Sequence, residues 1–447
     1  MDKVSIHVGL DNIDTPLGGC TTHFAYKFLK HLIRSYKSNI EFIDYPNLVR
    51  LNPSIPFKTR GNGAVALRIK AQEQLIDNIV KDVVNLLNDY LRKYSVKASS
   101  GEEGIAFFIG DVSEELKRLY FKALTDYVHL DFVRDVVEKV RNRLILPLGL
   151  NRGVIGALAA IGWFMEGDCT YELIAYRFDT SRVERCVDER SVIKMDIKFK
   201  QWVFSNYDYE SRKQLITPHG PDPVLLGIRG EDPRILVKAF EELKICEDVE
   251  GWLIFRTNQG TDAHHIDRDI NYVRPYQSGC IKGVVDGNPR VLRGGDVIIN
   301  IQGGNNAYIY AAFFKETSLT RIAKKLIKGD YVRLCGTFKL WEGLGLVVHV
   351  EKLTILKAVD EVVKMNPLCP KCGSRMKSAG RGKGWKCPKC GFRSKNLPYD
   401  VKIISRSNLV GDYIPLDKAI KHLNKPLRRY GRERVCRPER PSGTWIL

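Results

Sequence analysis

The stretch Val8-Gly9-Leu10-Asp11-Asn12-Ile13-Asp14-Thr15-Pro16-Leu17-Gly18-Gly19-Cys20-Thr21-Thr22 decides how the 447-residue chain is read. Ahead of its acidic turn, Ile6, Val8 and Leu10 alternate as in a short buried strand. Behind it, Phe24, Phe28, Leu29 and Leu32 recur at helical spacing, with Thr21 or Thr22 placed to cap the helix. Asp11 and Asp14 therefore leave one strand end three residues apart. The Gly18-Gly19 turn delivers the amides and hydroxyls of a helix start to the same place. Carboxylates at a strand end hold Mg²⁺, and helix N-terminal amides receive phosphate, so the pattern reads as a nucleotide site. Taken alone, a capped Asp/Pro/Gly turn is the commoner source of so short a pattern.

Moving outward, residues 40–51 form a second strand region leading into Asn52-Pro53-Ser54-Ile55-Pro56-Phe57-Lys58-Thr59-Arg60-Gly61-Asn62-Gly63. Two prolines exclude a helix there, and Arg60 to Gly63 is a loop with basic side chains beside open backbone, suited to wrapping a phosphate. A plain connecting loop fits as well. Ala64–Ile69 and Ile105–Gly110 read as strands, Gln72–Tyr94 as a long amphipathic helix, and further helices start near Ser113 and Phe132. This alternation predicts an α/β domain. Leu150 to Trp163 is a small-residue helix built for close packing. The strands Tyr171–Tyr176, Val224–Arg229 and Trp252–Arg256, with a helix from Asp232-Pro233, predict a small α+β layer of ferredoxin-like kind. In the polar loop Arg256 to His265, the adjacent His264 and His265 are expected to point apart and to act as polar contacts rather than ligands.

Charge is uneven. The chain carries +19 overall, yet the segment from Pro367 onward holds 20 Lys and Arg against 5 Asp and Glu, and the rest 51 against 47. A basic appendage on a near-neutral body is the footprint of polyanion binding. No run of 18 apolar residues occurs, which predicts no membrane span. The N-terminus lacks a signal-peptide core, so a cytoplasmic location is expected, with the eleven cysteines as thiols or metal ligands.

From Val273 to Leu356, five short strands with Gly turns and a helical insert after the third outline an OB-fold barrel. Tyr308 and Trp341 are its candidates for stacking bases. Cys369-Pro-Lys-Cys372 and Cys387-Pro-Lys-Cys390, fourteen residues apart, each followed by Gly, close a four-thiolate zinc site that is structural. The remaining cysteines, Cys20, Cys169, Cys186, Cys246, Cys280, Cys335 and Cys436, show no pairing pattern and read as thiols. Arg428, Arg429 and Arg432 lie in an Arg-rich end that reads as a flexible phosphate-contacting tail.

In this order the acidic turn, barrel, ribbon and basic end resemble the archaeal isoleucine-tRNA agmatidine synthetase (TiaS) family. The resemblance is carried by Gly9-Leu10-Asp11-Asn12-Ile13-Asp14-Thr15, Cys20-Thr21-Thr22, Arg50-Leu51-Asn52-Pro53 through Gly63, Asn151-Arg152-Gly153 with Gly156 to Ala160, and Phe255 to His264. The family's first motif reads Asp-Asp-Thr-Asp, where this chain has Asp11-Asn12-Ile13-Asp14. The resemblance implies a kinase-like domain over 1–140, a ferredoxin-like domain over 141–268, an OB-fold over 269–358, and a zinc ribbon with basic tail over 359–447. It implies an ATP- and Mg²⁺-dependent ligase that replaces the 2-oxo group of the wobble cytidine of isoleucine tRNA (CAU anticodon) with agmatine. Asp11, Asp14 and Thr21, the last as an autophosphorylated threonine, are the implied catalytic residues. Gly18, Gly19, Thr22, Lys58, Arg60, Gly61 and Asn62 are the expected phosphate contacts, and Asn151, Arg152, Asn258 and Asp262 the expected substrate contacts. A non-enzymatic single-strand-binding protein would explain residues 273–447 equally well but leaves the acidic turn without a role. A nucleic-acid ligase or nucleotidyltransferase is disfavoured because no Lys-x-Asp-Gly motif occurs.

Overall fold

A computed structural model describes residues 3–15, 18–94, 101–164, 167–180 and 183–447, so Pro16-Leu17 of the opening stretch lies outside the described residues. In chain order, β1 (Lys3–Asp11), β2 (Ile40–Phe42), β3 (Asn47–Arg50), β4 (Gly63–Gln72), β5 (Gly104–Ile109), β6 (Leu144–Ile145) and β7 (Thr170–Arg177) come first. A hairpin of β8 (Tyr207–Asp208) and β9 (Lys213–Gln214) precedes β10 (Val224–Gly230) and β11 (Val249–Thr257). All but the hairpin join one nine-stranded sheet, ordered β10-β7-β11-β3-β4-β1-β5-β6 with β2 on β4. The sheet therefore runs unbroken through the expected seam near residue 140. The join is a short parallel pairing, Arg256 with Asn47 and Thr257 with Leu48. Beside it the buried Arg256 guanidinium grips the buried Asp44 carboxylate.

Alternation along the strands sends neighbouring residues to opposite faces. Leu67, Phe107 and the β1 residues Ile6, Val8 and Leu10 pack under α1 (Thr21–Tyr36) and α2 (Ile76–Tyr94). Ala66, Ala106 and Phe108 face α3 (Glu114–Thr125), α4 (Leu130–Val140) and α5 (Gly153–Gly162). Helices α6 (Glu189–Lys198) and α7 (Pro233–Glu241) cover the β7–β10–β11 end. The small residues of α5 let it lie on strand backbone. A Cβ on Gly9 would stand 2.2 Å from the Ala157 carbonyl oxygen, and one on Gly104 2.1 Å from that of Gly153. The α1 cap is Cys20 rather than either threonine: its sulfur accepts the His23 amide at 3.4 Å.

A second sheet holds β12 (Ser278–Val285), β13 (Arg290–Val291), β14 (Val297–Gln302), β15 (Tyr308–Phe313), β16 (Tyr331–Trp341) and β17 (Gly345–Lys357). Its order is β12-β16-β17-β15-β14-β13, and β12 also pairs with β14, so the sheet returns to its first strand. The expected helical insert is one turn, α8 (Thr320–Ala323). Beyond it come β18 (Glu361–Met365), three short ribbon strands and β22 (Asp400–Ile404), which pairs back onto β18. The architecture is thus mixed α/β, with several domains and a C-terminal ribbon.

Two expectations need correction. The Arg-rich end is no loose tail. Arg429 is fully buried between Asp168 (2.8 Å) and Glu231 (2.6 Å), Arg428 pairs with Asp196 at 2.9 Å, and Arg432 donates to the Gln201 carbonyl. Ile446 pairs antiparallel beside Leu253 of β11 through the backbone. The acidic partners lie some two hundred residues upstream, so a local charge count overstated the free charge. The cysteines are the second. Cys169–Cys436, Cys186–Cys246 and Cys280–Cys335 are disulfides, at sequence separations of 267, 60 and 55. Strand pairing brings them together, with Cys280 directly opposite Cys335 on β12 and β16. Cys20 is a buried free thiol.

The α5 contact gives a direct test. Gly9→Ala drives a methyl into the Ala157 carbonyl, which neither backbone can vacate without parting helix from strand. It should lower unfolding free energy by roughly 3 kcal/mol or more in denaturant melts, and an unchanged midpoint would show that α5 does not rest on β1.

Candidate active site

The site forms where β1 ends. Asn12 takes a left-handed φ of 58° and anchors its side chain on the Glu102 carbonyl at 3.0 Å, turning the chain out of the sheet. Gly18, at φ 119°, and Gly19 close the following turn, with the Gly19 amide on the Thr15 hydroxyl at 2.9 Å. The Ile13 amide donates to the Thr21 hydroxyl (3.1 Å), which lies 3.3 Å from Asp14 Oδ2. Thr59 donates to the same Asp14 oxygen at 2.9 Å. Arg60 reaches Asp14 Oδ1 (3.3 Å), Asp222 Oδ2 (3.0 Å) and the Gly19 carbonyl (3.1 Å).

The two aspartates differ. Asp11 is enclosed beneath α5, where a Cβ on Gly156 would lie 1.9 Å from its Oδ2. Burial, with the charge of Asp14 adding to it, pushes its carboxyl up to about 7 against the pull of the Asn12 amide. No ion pair to Asp11 is formed among the described residues. Asp14 is also raised by burial, opposed by Arg60, Thr59 and Thr21. They open onto different cavities. Asp11 lines one of about 320 Å³ with Phe57, Lys58, Thr59, Asn62 and Arg152. Asp14, Thr21 and Thr22 line another of about 380 Å³ with Arg60, Gly61, Glu172 and Asp222. Thr59 borders both, so the acidic turn serves two adjoining chambers.

Of the expected substrate contacts, Arg152 alone faces a cavity, its guanidinium stacked 4.7 Å from the Phe57 ring. Asn151 caps α5 through the Val154 amide (3.2 Å) and donates to the Glu103 carbonyl. Asn258 is fully buried, bracketing the Arg50 backbone, and Asp262 takes the Lys425 amide at 2.7 Å. Asn258 is thus a buried brace and Asp262 a half-buried one, and neither lines the cavities described above. His264 and His265 do not diverge: their ring centroids lie 4.0 Å apart at a 34° tilt, and both reach Glu351, at 2.9 and 3.3 Å. Thr59, Glu172, Asp222 and Arg229 were not expected. Thr59 stood inside the Lys58 to Gly63 loop and was legible there; the other three come from strands and loops that only the sheet order brings near.

Away from this site, Tyr308 is exposed and Trp341 donates its indole N–H to His349 at 2.8 Å. The sulfurs of Cys369, Cys372, Cys387 and Cys390 converge, with Cys369–Cys390 at 3.5 Å and Cys372–Cys387 at 3.4 Å. Gly373 and Gly391, at φ 69° and 74°, make the tight turns after each pair. Four thiols in this arrangement fit tetrahedral Zn²⁺. Among the described residues no helix is long and apolar enough to cross a membrane.

Family models described as the TiaS TCKD domain, the TiaS FLD domain and the TiaS C-terminal zinc ribbon domain match residues 7–144, 151–264 and 366–404. The isoleucine-tRNA 2-agmatinylcytidine synthetase TiaS of Ignisphaera aggregans is 41% identical over 437 residues, covering 96% of this chain and 94% of that protein. The chain belongs to the TiaS family. A solved complex of TiaS with its isoleucine tRNA and ATP superposes with a TM-score of 0.80 at 33% identity, covering 95% of this chain and 97% of the other. A solved complex of TiaS with the same tRNA, AMPCPP and agmatine gives 0.77 at 30%, with the same coverage.

Titration of Asp11 links the site to stability. A carboxyl held at about 7 folded but near 3.8 unfolded costs nothing below pH 4, and its cost grows until pH 7. Asp11→Asn should therefore match wild type at pH 4 and exceed it by up to a few kcal/mol at pH 8, since each pKa unit is worth about 1.4 kcal/mol. Unfolding free energies across that range that stay parallel would show Asp11 to be an ordinary carboxylate.

Proposed function

We propose that this chain conjugates agmatine to C2 of the wobble cytidine of isoleucine tRNA at the expense of ATP. The observation that carries the reading is the cluster of Asp14, Thr21, Thr59 and Arg60 beside Asp11, in a chain similar over nearly its whole length to a TiaS bound to tRNA, an ATP analogue and agmatine. The first sheet half is read as the kinase-like catalytic domain and the β7–β10–β11 end as the ferredoxin-like one. The second sheet is read as an OB-fold, and residues 359–447 as the ribbon with the segment that returns to the body.

The chemistry follows from the substrate. A carbonyl oxygen leaves poorly, so ATP phosphorylates the cytidine 2-oxo group first. The agmatine amine then attacks C2, forming the C–N bond as the C–O bond breaks, and phosphate departs while the amine gives up a proton. Lys58, Arg60 and the backbone of Gly18, Gly19, Gly61 and Asn62, with Thr22, are the groups proposed to receive the ATP phosphates. Arg60 is fixed for this by Asp14 and Asp222, which hold its planar fork in place. Thr21 presents its hydroxyl toward Asp14, in keeping with a proposed phosphoryl acceptor. The donor set around the turn, Asp11 and Asp14 with the hydroxyls of Thr21 and Thr59, consists of oxygens alone and fits Mg²⁺. Asp11, the carboxylate without a cationic partner among the described residues, would be its principal ligand. Such an ion neutralises charge developing on the transferring phosphoryl group. The two chambers flanking Thr59 suit a reaction with two substrates beside the nucleotide.

A purely RNA-binding role would leave this cluster idle. Mass spectrometry of isoleucine tRNA incubated with protein, ATP and agmatine should show the agmatine adduct. Asp11→Ala and Asp14→Ala should each lower single-turnover transfer by at least a hundredfold while tRNA affinity changes less than threefold. Full transfer by either variant would remove the aspartates from the chemistry.

A further inference from the structure

A third cavity, of about 430 Å³, adjoins the Asp14 chamber, sharing Arg50, Arg60, Gly61, Arg229 and His422 with it, and the C-terminal segment lines it through Ile420 to Leu423. Its charged and titratable lining is Arg50 from β3, Lys58 and Arg60 from the loop, Arg229 from β10, and Lys421 and His422 from the segment that returns after the ribbon. No carboxylate lines it among the described residues. The counter-charges lie behind the wall and are shared. Glu172 serves Arg229 at 3.2 Å and Arg50 only at 3.9 Å, and Arg60 is engaged by Asp14 and Asp222. Lys421 stands 2.6 Å from Glu351. The Arg50 Nε is buried with no hydrogen-bond partner.

The histidine is oriented by a relay. The Gln259 amide nitrogen donates to Glu172, so its oxygen faces His422 Nδ1 at 2.9 Å and must accept. His422 therefore carries its proton on Nδ1, and Arg229 Nη2, 3.3 Å from the same nitrogen, adds only repulsion. The bare Nε2 faces the loop, where a Cβ on Gly61 would come within 2.8 Å of it. Arg50, then burial, then Arg229 and Lys58 hold His422 well below its ordinary range.

We propose that this cavity is a phosphate-binding site completed by Lys421 and His422, in which His422 takes up a proton as the anion arrives and donates it through Nε2 to a phosphate oxygen. A phosphate relieves the repulsion among the surrounding cations, and no cationic or neutral ligand does. The proposal rests on the reading of this region as one that handles phosphates. It adds that the C-terminal segment is part of the site and that proton uptake accompanies binding. The phosphate has two available sources, the nucleotide and the RNA backbone.

The test uses the full-length protein and inorganic pyrophosphate. Calorimetry at pH 7 in two buffers of different ionisation enthalpy should reveal net proton uptake by wild type, and affinity should rise as pH falls. His422→Asn, which keeps a donor for Gln259, should abolish the uptake, and Lys421→Gln should weaken binding about tenfold while retaining it. Thermal melts of both variants check that they fold. The slope of log tRNA affinity against log salt is measured beside these. Loss of pyrophosphate affinity at constant slope assigns the site to the nucleotide. Loss of pyrophosphate affinity together with a slope shallower by about one assigns it to the RNA backbone. Folded variants in which pyrophosphate affinity, proton uptake and slope all match wild type overturn the proposal, whether or not agmatine transfer itself is observed.

Discussion

One guanidinium ties the site together. Arg60 spans the end of β1 through Asp14, the glycine turn through the Gly19 carbonyl, and the loop before β10 through Asp222. Residues 14–19 and Asp222, distant in sequence from each other, converge on a planar group with five donors, which suits fixed geometry better than a lysine ammonium. Burial, with the charge of Asp222 adding to it, raises the Asp14 carboxyl, and Arg60 opposes that rise. Remove that cation and Asp14 loses its ion pair, while Asp222 keeps Arg185 at 3.1 Å.

That convergence depends on a sheet that ignores the expected domain seam. The parallel join of β11 to β3, pinned by the buried Arg256–Asp44 pair, places Asp222, Glu172 and Arg229 within reach of the β1 end. Helix α5 closes the opposite side. Its glycines and alanines admit the strand backbone at distances no larger residue would tolerate, and Gly156 leaves just the room that the Asp11 carboxylate fills. Packing thus sets the chemistry: the same close approach that excludes a methyl group also crowds Asp11 beneath the helix and lifts its proton affinity.

Local features were legible in the sequence and long-range ones were not. The strand, acidic turn and helix around Asp11 follow from periodicity, and the ribbon follows from the spacing of Cys369, Cys372, Cys387 and Cys390. What eluded sequence reading depends on partners far along the chain. Arg429 looked like free charge because Asp168 and Glu231 stand about two hundred residues away. Cys169 and Cys436 offered no spacing signal at a separation of 267. Asn258 and Asp262 share a polar loop that reads as a binding surface, yet their hydrogen bonds brace the strand end and the C-terminal segment. His264 and His265 seemed divergent because adjacent residues alternate in an extended chain. The turn closed by the His265 amide on the Asp262 carbonyl breaks that alternation, and both rings reach Glu351.

The central claim is that Asp14 and Arg60 act as one unit in phosphoryl and amine transfer. A double-mutant cycle of Asp14→Asn and Arg60→Gln, read by single-turnover agmatine transfer to isoleucine tRNA, measures it most directly. The account predicts that either change alone removes most of the rate and that the pair together costs little more than one, with a coupling of roughly 2 kcal/mol or greater. Costs that simply add, or an Arg60→Gln protein that transfers agmatine at the wild-type rate, would contradict it.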